Sequence, residues 1–142
     1  MATLPKIYFD HLVEISSDII VAVDRSGCVV FYNDGARRTL GYMPDEVLGR
    51  HVTLIYPSLE EARRLMSAMR SATLDVAGKA QNFETMLVTK SGTRIPVAIS
   101  GSIIKDENGN EIGSIGFAKD LREIRERDRL ATLGEVAVSI AH

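Results

Sequence analysis

The sequence predicts an α+β domain, and three stretches carry that prediction. In residues 93–104, Ile95, Val97, Ile99 and Ile103 alternate with Pro96, Ala98, Ser100 and Ser102, the period-two pattern of a strand with one covered face. Turn residues bracket it on both sides, so it reads as the middle of a three-stranded meander. Ser58 and Glu61 have the spacing of a capping box, and Leu59, Ala62, Leu65, Met66 and Met69 then recur at helical intervals. A run of strands separated from another by helices is α+β, not an alternating βαβ pattern.

In chain order, Pro5 to Ser16 places Ile7, Leu12 and Ile15 close to one helical face. Ile19 to Val23 and Cys28 to Tyr32 read as two strands. Asp24-Arg25-Ser26-Gly27 joins them with hairpin chemistry, Gly27 being free to take positive φ. Asn33 or Asp34 can cap a short helix ending at Gly41, and Pro44 suits the first turn of another that Gly49 closes. The helix opened by Ser58 carries Glu60, Arg63, Arg64 and Arg70 mostly on its polar side and fades near Ala72. Strands then span 82–89, 93–104 and 111–119, turning at Lys90-Ser91-Gly92 and at Asp106 to Asn110. Two tight turns favour antiparallel neighbours. The expectation is a five-stranded antiparallel sheet with short helices on one face. From Leu121 the chain has one glycine, no proline and the charge run Arg122 to Arg129, a helix that Asp120 can start through capping-box spacing to Glu123.

The 142 residues suit one domain with a helical appendage. A hydrophobic share of 45% and a charged share of 25% are ordinary for a folded soluble protein, and a net charge of −2 offers no basic face for nucleic acid. The one cysteine, Cys28, excludes an internal disulfide and a cysteine-rich metal site. No run of about 18 apolar residues occurs, so no membrane segment is expected in this chain, and a cytoplasmic location is. There is no Ser/His/Asp order, no cluster of metal ligands and no phosphate-cradling glycine loop.

Several phrases in this order resemble the PAS family of sensory domains. Asp24 to Asn33 looks like its first hairpin and following asparagine. Leu40-Gly41-Tyr42 with Pro44 to Arg50 looks like its "GY…EE(L/V)(I/L)G" segment, and Thr89-Lys90-Ser91-Gly92 like the turn before its long strand. The tail Leu130 to His142 is similar to the H-box that opens the dimerisation and phosphotransfer helix of two-component sensor histidine kinases. The resemblance divides the chain into an N-terminal helix (1–17), a PAS domain (18–120) and a signalling linker helix with the start of an H-box (121–142). It implies that His142 accepts phosphate in an intact protein-histidine kinase, of which this chain is an inactive fragment. It further implies a homodimer, a cognate response regulator, and a separate kinase domain using ATP and Mg. A neutral imidazole is a competent nucleophile for phosphoryl transfer.

Met66, Met69, Met86, Ile99 and Phe117 could line a ligand cavity or could be ordinary core. Arg50 and His51 could meet an anionic ligand at its mouth or lie solvated on the surface. Haem-binding relatives use a histidine on the long helix, where this chain has none. Flavin photosensors use an asparagine-cysteine phrase, where it reads Gly49-Arg50-His51-Val52-Thr53-Leu54. No haem or flavin is therefore expected, and an unknown small ligand stays open. The resemblance also points to Asp120, at the place of an Asp-x-Thr motif whose last two residues are here Leu121 and Arg122. Leu130, Leu133, Ala137 and Ile140 keep the spacing of a dimer seam, while Leu121 and Ile124 fall out of its phase. That break is either a switchable discontinuity or the end of a coiled coil. Two readings follow: a sensing and dimerisation module controlling a kinase, or a ligand-free PAS module relaying signals from a partner.

Overall fold

A computed structural model describes residues 5–71 and 79–141. The elements run α1 (Lys6–Ile15), β1 (Ile19–Asp24), β2 (Val29–Tyr32), α2 (Asp34–Leu40), α3 (Pro44–Val47), a 3-10 turn (Val52–Ile55), α4 (Leu59–Ser71), β3 (Lys79–Val88), β4 (Arg94–Lys105), β5 (Glu111–Asp120) and α5 (Arg122–Ala141). The five strands form one antiparallel sheet in the order β2-β1-β5-β4-β3. Each expected strand is present. β3 starts earlier than the periodicity placed it, because Asn82 takes a left-handed φ of 50° and a bulge between Ala80 and Phe83 restarts the alternation.

Local chemistry sets the turns. Asp24 Oδ1 accepts from the amides of Ser26 and Cys28 at 2.9 and 3.0 Å, and Gly27 follows at φ 86°. An Asx-type turn of this kind closes the β1–β2 hairpin. Ser58 Oγ accepts from the Glu61 amide at 3.2 Å, so the predicted cap forms. Its reciprocal half does not, because Glu61 turns to the buried Thr85 hydroxyl at 2.6 Å and ties α4 to β3.

The core lies between one sheet face and the helices. Ile19, Val21, Val97, Ile99, Ile95 and Leu87 face Ala36, Leu40, Val47, Ile55, Leu65 and Met69. Each aliphatic side chain so buried contributes about 2 kcal/mol. Leu59 departs from the expected apolar stripe and is 49% exposed, since it stands at the first position of α4, before the helix meets the sheet. The large apolar residues Ile7, Tyr8, Phe9, Leu12 and Ile15 of α1 are exposed, and Val13 is half-buried.

Asn33 holds three elements together. It is wholly buried, and Oδ1 accepts from the amides of Ala36 and Ile20, both at 2.9 Å. Nδ2 donates to the carbonyls of Val13 and Asp18 at 3.0 Å and, more distantly, of Ser16 at 3.4 Å. One amide thus caps α2, starts β1 and anchors the end of α1. Beside it Gly35 admits the chain so closely that a Cβ there would collide with the Asp18 and Ser16 carbonyls. Tyr32 continues the anchor: its hydroxyl donates to the carbonyls of Tyr42 (2.9 Å) and Ala36 (3.1 Å). Burial, with the nearby Glu46 carboxylate, pushes that phenol up to about 12, so it keeps its proton.

Asn33→Ala leaves two amides and at least two carbonyls buried without partners, at about 1–3 kcal/mol each. Urea denaturation should show a loss of about 3 kcal/mol or more; a loss below about 1 kcal/mol would show that water replaces the amide without cost.

Candidate functional site: a cavity under helix α4

Between α4 and the sheet lies a cavity of about 360 Å³. Its volume falls within the range of small-molecule sites. Small residues on the two middle strands make it. Gly101 on β4 and Gly116 on β5 pair across the sheet, with Ser114 and Ala118 flanking Gly116 on the same face. A Cβ at Gly101 would stand 2.8 Å from Met69 Sδ, so the thioether packs directly on the strand. A Cβ at Gly116 would meet only Ile99 Cγ2 at 3.7 Å and the Val21 carbonyl at 4.0 Å, and the space above it belongs to the cavity.

Of the residues singled out from sequence, Met66, Met69, Ile99 and His51 line the cavity. Met86 and Phe117 do not, and this corrects their placement. Leu87 pairs with Ile95 and Ala118 with Ile99 on the inner face, so their neighbours Met86 and Phe117 point to the other face. Phe117 is 42% exposed there. Arg50 is also outside the cavity lining; it is exposed, and its carbonyl accepts from the Val29 amide at 2.8 Å. His51 is held in place: Nδ1 accepts from the Thr53 amide at 3.3 Å and lies 3.0 Å from the Thr53 hydroxyl, while its ring packs against Gly27. Acceptance at Nδ1 puts the proton of the neutral ring on Nε2.

Sequence reasoning missed the polar residues. Arg25, from the β1–β2 turn, and Arg63 and Arg70, from α4, line the cavity with Tyr56 and Ser114. Arg70 pairs with Glu111 at 3.1 Å. Arg25 and Arg63 make no ion pair with the described residues. Burial drives the Tyr56 phenol far above its ordinary range, and among the described residues its hydroxyl has no hydrogen-bond partner. Arg63 and Arg70 sit one helical turn from Met66, a signal visible only once that face is known to border a cavity.

Helix α5 begins at the other end of β5. Asp120 Oδ1 accepts from the Arg122 amide at 2.9 Å, and its carboxylate takes the Arg122 guanidinium at 2.8–3.1 Å. The Leu121 amide donates to the Pro96 carbonyl at 2.9 Å. Glu123 does not complete the box but pairs with Arg127 at 2.7 Å. Helix α5 runs unbroken through the change of phase after Ile124. Leu130 and Leu133 are each 56% exposed and Ile124 lies at the surface. The side chains of Ala137 and Ile140, and all of His142, lie outside the described residues.

Residues 17–123 match the sequence pattern of the PAS domain family. The chain belongs to that family. It is similar to the signal transduction histidine-protein kinase AtoS of Escherichia coli, 26% identical over 140 residues, with 94% of this chain covered. That match therefore reaches beyond residue 123 into α5. It is also similar to the blue light receptor lreA of Aspergillus flavus, 28% identical over 93 residues, covering 61% of this chain. The chain spans 22% and 10% of the lengths of these two relatives. In fold it matches the crystal structure of a PAS domain from Colwellia psychrerythraea, with a TM-score of 0.73 and 21% identity, over 83% of this chain and 98% of that one. A sensory, signalling role follows from the family and these relatives. Among the described residues no group of three or more His, Cys, Asp or Glu could hold a metal, and no helix is long and apolar enough to cross a membrane.

Two outcomes follow from this geometry. Tyr56→Phe removes a hydroxyl that has no partner among the described residues, so thermal unfolding should move by no more than about 0.5 kcal/mol; a larger loss would reveal a bond to the hydroxyl. At Asp120, burial raises the carboxyl, but the hydrogen bonds and charge of Arg122 together outweigh it and hold it below its usual range. Its stabilisation is present above the ordinary carboxylate pKa of about 3.9 and is lost as pH falls through the lower folded value. Acidification below about pH 4 should therefore loosen the first turn of α5, seen as faster amide exchange at Arg122. Exchange there that ignores pH after correction for its intrinsic rate would remove the cap from this account.

Proposed function

We propose that this chain is the signal-sensing and dimerisation module of a cytoplasmic sensor histidine kinase, controlling autophosphorylation of His142. The observation that carries the sensing half is the cavity under α4. A filled, dry core would favour a module that only relays contacts from a partner, whereas a cavity of about 360 Å³ suits a ligand. The kinase half rests on the similarity to AtoS, which extends into α5, and on the H-box phrase Leu130 to His142.

In this reading a ligand favours one geometry of paired α5 helices, and it acts only through its different affinity for the two states. The exposed Leu130 and Leu133, continuing to Ala137 and Ile140, form the lower seam of a parallel homodimer. Glu126, Arg127 and Asp128 weaken the upper seam, leaving two packings within a few kcal/mol of each other. The whole protein would add the ATP- and Mg-using kinase domain and pass phosphate to a response regulator. The proposal includes no covalent flavin adduct, since the one cysteine, Cys28, does not line the cavity.

Native mass spectrometry of the purified chain should show a dimer of twice 15.6 kDa with a small molecule retained. A bare monomer at high concentration would remove the dimer and leave the cavity without its ligand. In the full-length kinase, Arg127→Leu with Asp128→Leu should tighten the upper seam and lock output in one state. A normal response to signal in that double variant would place the switch elsewhere.

A further inference from the structure

The rim of the cavity carries an excess of positive side chains, Arg25, Arg63 and Arg70 against Asp24 and Glu111. Arg25 stands in the β1–β2 turn and Arg63 on α4, and neither meets a carboxylate among the described residues. Of the two acidic groups that line the cavity, Glu111 is neutralised by an ion pair, and Asp24 is held by backbone amides and keeps its charge. Asp24 accepts from the amides of Ser26 and Cys28, and Glu111 is paired with Arg70. His51 adds a ring whose Nδ1 already accepts a hydrogen bond, which leaves Nε2 as a donor. Next to this rim Ser114, a buried residue of β5, lines the cavity one residue along from Gly113, which pairs with Asp24 at the turn. Beyond it the walls are apolar: Met66, Met69, Leu65 and Ile99 over the glycine floor.

Resting on the sensing reading above, we infer that the cavity takes an amphipathic monoanion: an unbranched aliphatic body under α4 with a carboxylate at the rim, between Arg25 and Arg63. The cavity of about 360 Å³ equals about a dozen water-sized volumes, so a body of about eight carbons with a carboxylate fits it. A cationic head is repelled by the two arginines, and a neutral head forfeits them. Arginine suits this role because its fork of donors matches a carboxylate and its charge persists at every working pH. The carboxylate can also accept from the Ser114 hydroxyl.

Isothermal titration calorimetry of the 142-residue chain with octanoate, 1-octanol and octylammonium separates body from head. Octanoate should bind at least fivefold more tightly than 1-octanol and at least tenfold more tightly than octylammonium, and its advantage should shrink as salt rises. Arg25→Gln and Arg63→Gln should each weaken octanoate about three- to tenfold and leave 1-octanol unchanged. Gly116→Val should weaken all aliphatic ligands, since its added methyls occupy the cavity floor where a Cβ finds room. If 1-octanol matches octanoate, or the double arginine variant keeps octanoate affinity, the anionic head is wrong while the cavity still serves as the sensing site. If none of the three binds, the ligand class is wrong, and a retained molecule in native mass spectrometry judges the sensing reading separately. The comparison of ligands on the unaltered protein stands even if a variant fails to fold.

Discussion

The whole N-terminal half of the domain hangs on the side-chain amide of Asn33. Three chain segments converge on it: the end of α1, the start of β1 and the first turn of α2. None of these could meet there without losing backbone hydrogen bonds to water, and a buried orphan of that kind costs more than a typical bond gains. Asparagine alone offers an acceptor and two donors on so short a stem. Gly35 belongs to the same constraint, since any side chain at that position would push Asp18 and Ser16 away from the amide. Once this junction is closed, β1 is positioned to pair with β5, and the central sheet follows.

The cavity is a second consequence of backbone choice. Glycine in a strand interior is destabilising by about 0.5–1 kcal/mol, so Gly101 and Gly116 at paired positions need a reason. At Gly101 the reason is Met69, whose sulfur takes the room of the missing Cβ. At Gly116 nothing fills the room, and the fold accepts poorer packing over the central strands. Methionine on the opposite wall suits such a site, because its unbranched side chain can reshape around different contents.

The elements of the fold were legible in the sequence because their signals are local. Ser58, Gly27 and Gly41 each act within a few residues of where they stand, as does Asn33 in its cap of α2, while its bonds to α1 and β1 were not legible. The lining of the cavity was less legible. Periodicity left Met66, Met69, Met86, Ile99 and Phe117 open between cavity lining and core, and the structure puts Met66, Met69 and Ile99 on the cavity and leaves Met86 and Phe117 off it. Their side follows from strand register: Met86 pairs with Pro96 and Phe117 with Ser100, each one residue away from the inward pairs Leu87–Ile95 and Ala118–Ile99. Arg25 and Arg63 were invisible for a different reason. A charged residue in a turn or on a polar helix face looks solvated until a third element, here β5, closes the space between them.

The way α5 leaves the sheet makes it a lever. Its base is held by the Asp120 cap and by the Leu121 amide on Pro96, on the strand next to β5. Its 20 residues extend about 30 Å from that base. A tilt of about 5° at the base swings the far end by about 2.6 Å over that length. A change too small to break a single strand bond can therefore become a displacement the size of an atom's contact radius at the other end. The stiffness of one hydrogen-bonded turn sets how faithfully that magnification works.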